Sequence, residues 1–379
     1  MKTSKESHIA IAGAGLLGRL LAWRLLEAGC RVTLYEAGKL EQPAAAAHTA
    51  AGMISPVSEA LDTEPLMYDM GLVSLAQWPE WLQQLNQTLP ENQKVFYQQQ
   101  GSIIVAHSQD YSLLQQYQQD MQRQLPKTAQ VQLLDKIQLQ SMESDIAEHF
   151  QQGLYFSEEA HIDNRQLLRA LLLRIQQLGG QCIENTPVVV SDTGLLINDQ
   201  EQHHDYVLDC RGTGAKIQWS EVRGVRGEIL RVQTDEVQLT RPVRLLHPRY
   251  QLYVVPKTNH EYVIGATQIE SEDLSPVSVQ SALELNSALY TINPAFAEAR
   301  IIEMKSNLRP SLNDNRPKIM YNDKVVRING LYRHGYLLAP VVVQHTLALL
   351  NDDIHKQHFS DELYSVINNE GAAHADAVA

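Results

Sequence analysis

The chain has 379 residues, 44% of them hydrophobic and 20% charged, with a formal net charge of −13 at pH 7. That length suits two domains, or one interrupted by another, and the composition is that of a soluble globular protein. The acidic balance argues against a nucleic-acid partner, because neutralising phosphates requires basic patches, yet it leaves room for a small anion held by one buried arginine. Cys30, Cys182 and Cys210 are odd in number and widely spaced. Neither a disulfide framework nor a metal site is therefore expected, and a reducing, cytoplasmic setting fits. No apolar run reaches membrane-spanning length, and with the first strand so close to Met1 no signal peptide is expected.

Taken in chain order, His8-Ile-Ala-Ile-Ala reads as a strand, Gly13-Ala-Gly15-Leu-Leu-Gly18 as a glycine-rich turn opening a helix, and Arg31-Val-Thr-Leu-Tyr-Glu36 as a second strand ending in an acid. That order is what a dinucleotide-binding βαβ unit requires. Gly13 permits the tight turn, Gly15 lets the backbone approach a pyrophosphate, and Gly18 lets the helix pack close to the strand. The helix amino terminus then offers free N–H groups and a positive dipole end. Glu36, about twenty residues on, is placed to accept hydrogen bonds from ribose hydroxyls.

The run from Ala44 to Ala47 and His48-Thr-Ala-Ala51-Gly52-Met53-Ile-Ser-Pro56 is made of small residues that let a backbone approach something closely, or else form a surface loop. Residues 65–95 carry helical apolar spacing, and Trp78 and Trp81 read as core. From 83 to 152 the chain is glutamine-rich with leucine and tyrosine at helical intervals, which predicts solvated helix faces around a strand at 101–106. This shift in composition marks an insertion. Asn164 is expected to cap a helix from Arg165 to about Leu178, ended by Gly179-Gly180. Strands are expected to resume at Gln181, at Thr186-Pro-Val188-Val-Val and at Tyr206-Val-Leu-Asp-Cys-Arg211. Alternating strands at 225–234, 252–256 and 262–266 predict an antiparallel sheet. Residues 276–292 are expected to be helical, Arg333-His-Gly335-Tyr-Leu-Leu-Ala-Pro340 to open a helix through Leu350, and residues 370–379 to fray.

This order of parts resembles the D-amino-acid oxidase superfamily of flavoproteins, and within it the glycine oxidase branch linked to thiamine biosynthesis. Four separated signatures carry the resemblance. They are Gly13 to Glu36; Ala50-Ala51-Gly52-Met53-Ile-Ser-Pro56; Gly153 to Asn164 with its helix; and Tyr253-Val-Val-Pro to Gly265-Ala-Thr267, with Leu308-Arg309-Pro310 and the run opening at Arg333. The resemblance implies an α/β fold, with a Rossmann-like FAD-binding domain in pieces 1–82, 153–222 and 308–369. A second, antiparallel sheet-containing substrate domain would take 83–152 and 223–307, with 370–379 a flexible tail.

By the same resemblance the cofactor would be non-covalent FAD, since no cysteine follows Cys210 to make the covalent link of sarcosine oxidase relatives. Leu16 and Leu17 would follow the phosphate turn, Glu36 and Ala37 would meet the adenosine ribose, and Ala46 and Ala47 would lie along the pyrophosphate. Ala51, Gly52 and Met53 would pass the flavin ring, Val188 would touch the adenine side, and Leu331-Tyr332-Arg333-His334-Gly335-Tyr336-Leu337 would wrap the pyrimidine end. Arg309 and Tyr253 match the family's carboxylate-binding pair, and Arg333 and Gln268 would face substrate.

The implied reaction is oxidation of glycine or a small amine or D-amino acid by hydride transfer to the flavin, with oxygen as acceptor, hydrogen peroxide as product and no catalytic side chain. His247 and His334 are read as structural. Three departures bear on the substrate: Gln268 stands where glycine oxidases carry methionine, Ser306-Asn307 precedes Leu308-Arg309, and Asn315 replaces a glycine. Asparagine is the next best residue if that turn needs a positive φ. A dehydrogenase using another acceptor, a non-catalytic flavoprotein partner and a homo-oligomer stay open.

Overall fold

The computed structural model describes residues 1, 3–126, 129–248, 251–353 and 358–367; the expected tail at 370–379 lies outside them. Two large sheets organise the chain. The first has seven strands in the order Tyr364–Val366, Lys318–Tyr321, Val325–Asn329, Tyr206–Asp209, His8–Ala12, Arg31–Tyr35, Gln181–Ile183. Its central pairs are parallel, with Ile9 opposite Val32 on one side and Tyr206 on the other. The strands His8–Ala12 and Tyr206–Asp209 are almost wholly buried, as expected of a parallel sheet covered on both faces.

Helices Leu16–Glu27, Asn164–Gln177 and Gly335–Leu350 pack together on one face of it. Leu20, Leu21, Trp23, Leu171 and Leu338 are fully buried or nearly so between them, each contributing roughly 2 kcal/mol. Helix Pro65–Asn86 lies on Gly335–Leu350, where the Trp78 indole donates to the carbonyl of Tyr336 at 2.9 Å. Trp78 and Trp81 are therefore core.

The second sheet has eight strands, ordered Arg300–Ser311, Arg223–Gln233, Glu261–Gly265, Gln251–Pro256, Val243–Leu246, Ser102–Val105, Gln152–Phe156, Val131–Asp135. It is antiparallel except where Val243–Leu246 runs parallel to Ser102–Val105; the glutamine-rich segment contributes two of its strands, Ser102–Val105 and Val131–Asp135, and ends where a third, Gln152–Phe156, begins. Helix Tyr111–Gln124 in that segment buries only Leu114 and Met121, its other faces being solvated. Helix Val279–Ile292 packs on this sheet.

Three local expectations are corrected. The helix cap is Asp163, whose Oδ1 accepts from the N–H groups of Arg165 and Gln166 at 3.0 and 2.9 Å. Asn164 is the first helical residue, and its side chain is used elsewhere. Thr186-Pro-Val188 is not a buried strand: only Val189–Val190 pairs, because Pro187 has no N–H to give a ladder and Val188 lies along a cavity. The expected helix at 276–292 starts at Val279, where the Ser278 hydroxyl accepts from the Ser281 N–H.

Lys257 joins the two halves of the molecule. It follows strand Gln251–Pro256, is buried, and donates from Nζ to the carbonyls of Ala51 and Ile162 at 2.5 and 2.6 Å. Lys257→Met is expected to leave both carbonyls without this donor and to cost about 2 kcal/mol of stability, read as a lower denaturant midpoint with unchanged slope.

Candidate active site

A cavity of about 1300 Å³ runs between the carboxyl ends of the parallel strands and the face of the second sheet. Open α/β sheets offer a binding crevice at that end. At one end is the glycine-rich turn. Gly13 has φ +95°, and a Cβ there would stand 2.7 Å from the carbonyl oxygen of Cys210. A Cβ on Gly18 would lie 1.9 Å from the carbonyl oxygen of Gly13, so only glycine lets the helix begin this close to the turn. Gly18 does not line the cavity; Gly13, Gly15, Leu16 and Leu17 do. No side chain caps helix Leu16–Glu27, so its first N–H groups remain available to an anion. The Glu36 carboxylate accepts from the N–H groups of Ala14 and Gly38 at 2.8 and 3.1 Å. That fixes it beside Ala37 with lone pairs to spare for hydroxyls. Val188 and the half-buried Arg211, held by Asp209 at 2.7 Å, line the same end.

The alanine-rich run forms a short helix, Ala46–Thr49. It is held against the cavity by side chains from three distant elements. Asn164 Nδ2 donates to the carbonyls of Ala47 and His48, each at 3.0 Å, the Tyr336 hydroxyl donates to Ala47 at 2.9 Å, and Asn307 Nδ2 donates to Ala44 at 3.0 Å. Ala46, Ala47, Ala51, Gly52 and Met53 all line the cavity, as do residues 331–337. Helix Gly335–Leu350 begins there without a side-chain cap, so its positive end faces the cavity. Phosphate turn, carboxylate, small-residue wall and helix amino terminus together suit a long, flat dinucleotide carrying phosphates at its middle.

At the far end the polar groups divide into two sets. Arg309 donates from Nη1 to the carbonyl of Arg226 at 3.2 Å and from Nη2 to that of Thr267 at 3.1 Å. Among the described residues no carboxylate pairs with it. Its guanidinium lies flat on Gly227, where a Cβ would stand 2.4 Å from Cζ. Tyr253 and Gln268 line this end as well, and burial raises the pKa of the Tyr253 phenol, keeping it protonated.

Arg333 turns the other way. Its Nη2 lies 2.6 Å from Glu59 Oε2 and 3.4 Å from Asp62 Oδ2, while Glu59 Oε1 meets Arg244 Nη2 at 2.7 Å. Burial alone would raise the Glu59 pKa, but the two guanidinium groups outweigh it and hold the carboxyl at about 2. Arg333 is thus compensated by protein carboxylates where Arg309 is not. His334 is buried, and chiefly for that reason its pKa falls to about 4, so the ring is neutral.

Glu59, Asp62 and Arg244 were not legible as site residues. Glu59 and Asp62 stand three apart just after the small-residue run, the one signal available, but Arg244 lies in an unmarked strand. Asn315 adopts φ +57° and accepts from Arg223 at 2.7 Å and Ser311 at 2.6 Å, so the turn that departs from the family's glycine keeps its left-handed form.

A sequence model described as FAD dependent oxidoreductase matches residues 8–349. The thiamine biosynthesis oxidoreductase ThiO of Rhizobium etli is 35% identical over 336 residues, covering 88% of this chain and 94% of that protein. The bifunctional protein ThiO/ThiG of Trichormus variabilis is 27% identical over 94% of this chain, which spans only 54% of that longer protein. In fold, the crystal structure of glycine oxidase from Bacillus cereus superposes with a TM-score of 0.79 at 23% identity, covering 92% of this chain and 98% of that one. Among the described residues no helix is long and apolar enough to cross a membrane.

The buried histidines give the fold a definite acid response. Burial lowers His334 and His345, and partial burial beside Arg165 lowers His48, to about 4, from 6.5. As pH falls below about 6.5 the unfolded chain takes up these protons while the folded chain does not, so stability is lost between about 6.5 and 4. The stabilisation from Glu59, whose folded pKa is depressed from 4.5 to about 2, is lost only below about 4.5. The melting temperature is expected to fall across the first window, and His334→Gln to make that fall shallower.

Proposed function

This chain belongs to the FAD dependent oxidoreductase family, and on that premise we propose that it oxidises glycine or another small amine or D-amino acid at the α-carbon. The products would be an imine, hydrolysed to a 2-oxo acid and ammonia, and hydrogen peroxide formed from oxygen. The observation that carries this reading is Arg309: an arginine without a carboxylate partner among the described residues, on the wall of the cavity that also takes in Ala51, Gly52 and Met53.

Bound FAD supplies the two-electron acceptor for the α-hydrogen. Everything else falls to the chain. Arg309 grips the substrate carboxylate through its planar fork, which sets orientation as well as affinity. The Tyr253 hydroxyl donates to the same carboxylate. Holding the molecule by that end aims its α-carbon along the wall formed by residues 51–53, so positioning carries the rate and no side chain has to take the α-proton as a base. The neutral His334 adds no charge at this end, and Gln268 offers an amide acceptor to the substrate amine. Glu59 and Asp62 neutralise Arg333, so a substrate with one carboxylate meets one open guanidinium. The name of the Rhizobium etli relative supports a role in thiamine biosynthesis for this chain too. The three free cysteines fit a reducing compartment.

Anaerobic mixing of the purified holoenzyme with glycine, sarcosine, D-alanine or D-proline is expected to bleach the flavin absorbance. Failure with all of them would sink the reading. Peroxide formed per turnover in air, expected near one, separates an oxidase from a dehydrogenase that uses another acceptor. Arg309→Ala is expected to raise KM for the amino acid at least about 100-fold while FAD content stays unchanged.

Gly227→Ala tests the same seat from below. Its methyl group would occupy the guanidinium's place, and KM is expected to rise about tenfold or more with no loss of FAD. An unchanged KM would show that Arg309 does not act from this position.

A further inference from the structure

Both carbonyls that seat Arg309 belong to residues gripped by one buried carboxylate. Glu228 is fully buried one position beyond Gly227. Its Oε1 accepts from Arg226 Nε at 3.1 Å and Nη2 at 2.7 Å, and its Oε2 accepts from the Thr267 hydroxyl at 3.0 Å. The Thr267 oxygen in turn accepts from the Glu228 N–H at 3.0 Å. Arg226 and Thr267 are the two residues whose carbonyls receive Arg309 Nη1 and Nη2. We propose that Glu228 is a positioning residue for the substrate carboxylate: it clamps Arg226 and Thr267 so that their carbonyls hold the Arg309 fork open towards the cavity.

The clamp extends to the segment that follows Ile269. Arg226 Nη1 donates to the carbonyl of Asp273 at 2.6 Å and Nη2 to that of Pro276 at 3.0 Å. The backbones of Arg226 and Ile269 exchange two hydrogen bonds at 3.0 Å. The segment carrying Gln268 and Ile269, both on the cavity wall, is thereby fixed by the same group. The physical reason for a buried charge here is directional. A guanidinium held only by neutral carbonyls keeps its full charge for a ligand, but those carbonyls need an anchor that does not itself reach Arg309. A carboxylate touching Arg309 directly would have neutralised it, as Glu59 neutralises Arg333. Placing the anion one residue away, where Arg226, Thr267 and the Ser281 side chain satisfy it, fixes geometry without cancelling the charge.

This inference rests on the reading of Arg309 as the carboxylate anchor, and the test separates the two. The probe is glycolate, which has a carboxylate and no amine, titrated into the oxidised holoenzyme and followed by the flavin spectrum. Glu228→Leu removes both acceptors at similar volume, and Thr267→Val removes only the hydroxyl. Each is expected to weaken glycolate about tenfold, raising KM for glycine more than it lowers kcat, with Thr267→Ser restoring the wild-type value. In an Arg309→Ala background both substitutions are expected to change glycolate affinity less than about twofold.

Equal weakening in both backgrounds, or none in the wild type, overturns the positioning role and leaves Arg309's own role standing. Unchanged glycolate affinity in Arg309→Ala alone overturns the anchor reading and this inference with it. Should Glu228→Leu not fold, Thr267→Val and its serine rescue decide the matter.

Discussion

The contact on which the rest of the molecule depends is the one between Gly18 and the carbonyl of Gly13. No side chain fits there, so the first helix starts directly on the turn and its free N–H groups end up against the cavity. Arg19, the next residue, is almost fully buried. It donates from Nε to the carbonyl of Ala14 at 2.7 Å and reaches the carbonyls of Leu168 and Leu40 at 2.5 Å each. The turn is thus fastened to helix Asn164–Gln177 and to the segment leading into the alanine-rich run. That helix in turn holds the run through Asn164. A close backbone approach at one position therefore propagates, through one arginine and one asparagine, along the length of the cavity wall.

The second organising idea is electrostatic. The cavity's far end gathers Arg244, Arg309 and Arg333, and three uncompensated cations at close quarters would repel one another and bind anions indiscriminately. Two of them are neutralised by Glu59 and Asp62. Arg309 is spared because the groups it meets in the protein are carbonyl oxygens. On the proposed reading, selecting one cation out of three would give a small carboxylate a single place to bind, with buried ion pairs in the wall around it. The neutral His334 and the protonated Tyr253 fit this division, since neither adds a competing charge.

What could be read from the chain alone followed from short-range rules. The spacing of Gly13, Gly15 and Gly18, the acid at Glu36 and the alternation at 225–234 each require a local backbone form, and the structure has those forms. The shortfalls have local causes too. Asp163 and Asn164 are both good capping residues; Asp163 prevailed because the Asn164 amide was needed to tie down Ala47 and His48, a demand arising 117 and 116 residues away. The valine run after Pro187 carries strand propensity, but only Val189 and Val190 meet a neighbouring strand, while Val188 borders the cavity. The parallel junction between Val243–Leu246 and Ser102–Val105 carries no signal in either segment, since pairing direction depends on how the chain returns.

By itself, then, the sequence determined the glycine-rich turn, the α/β character, the antiparallel second sheet and the short list of residues worth watching, because periodicity, turn chemistry and motif spacing act over a few residues. Which arginine is free could be decided only by the tertiary structure. Arg309 and Arg333 sit in equally suggestive motifs, and their difference lies in what is packed beside them: Arg226, Gly227 and Thr267 for one, Glu59 and Asp62 for the other. Charge compensation is a property of distances between segments, and nothing in the order of residues carries it.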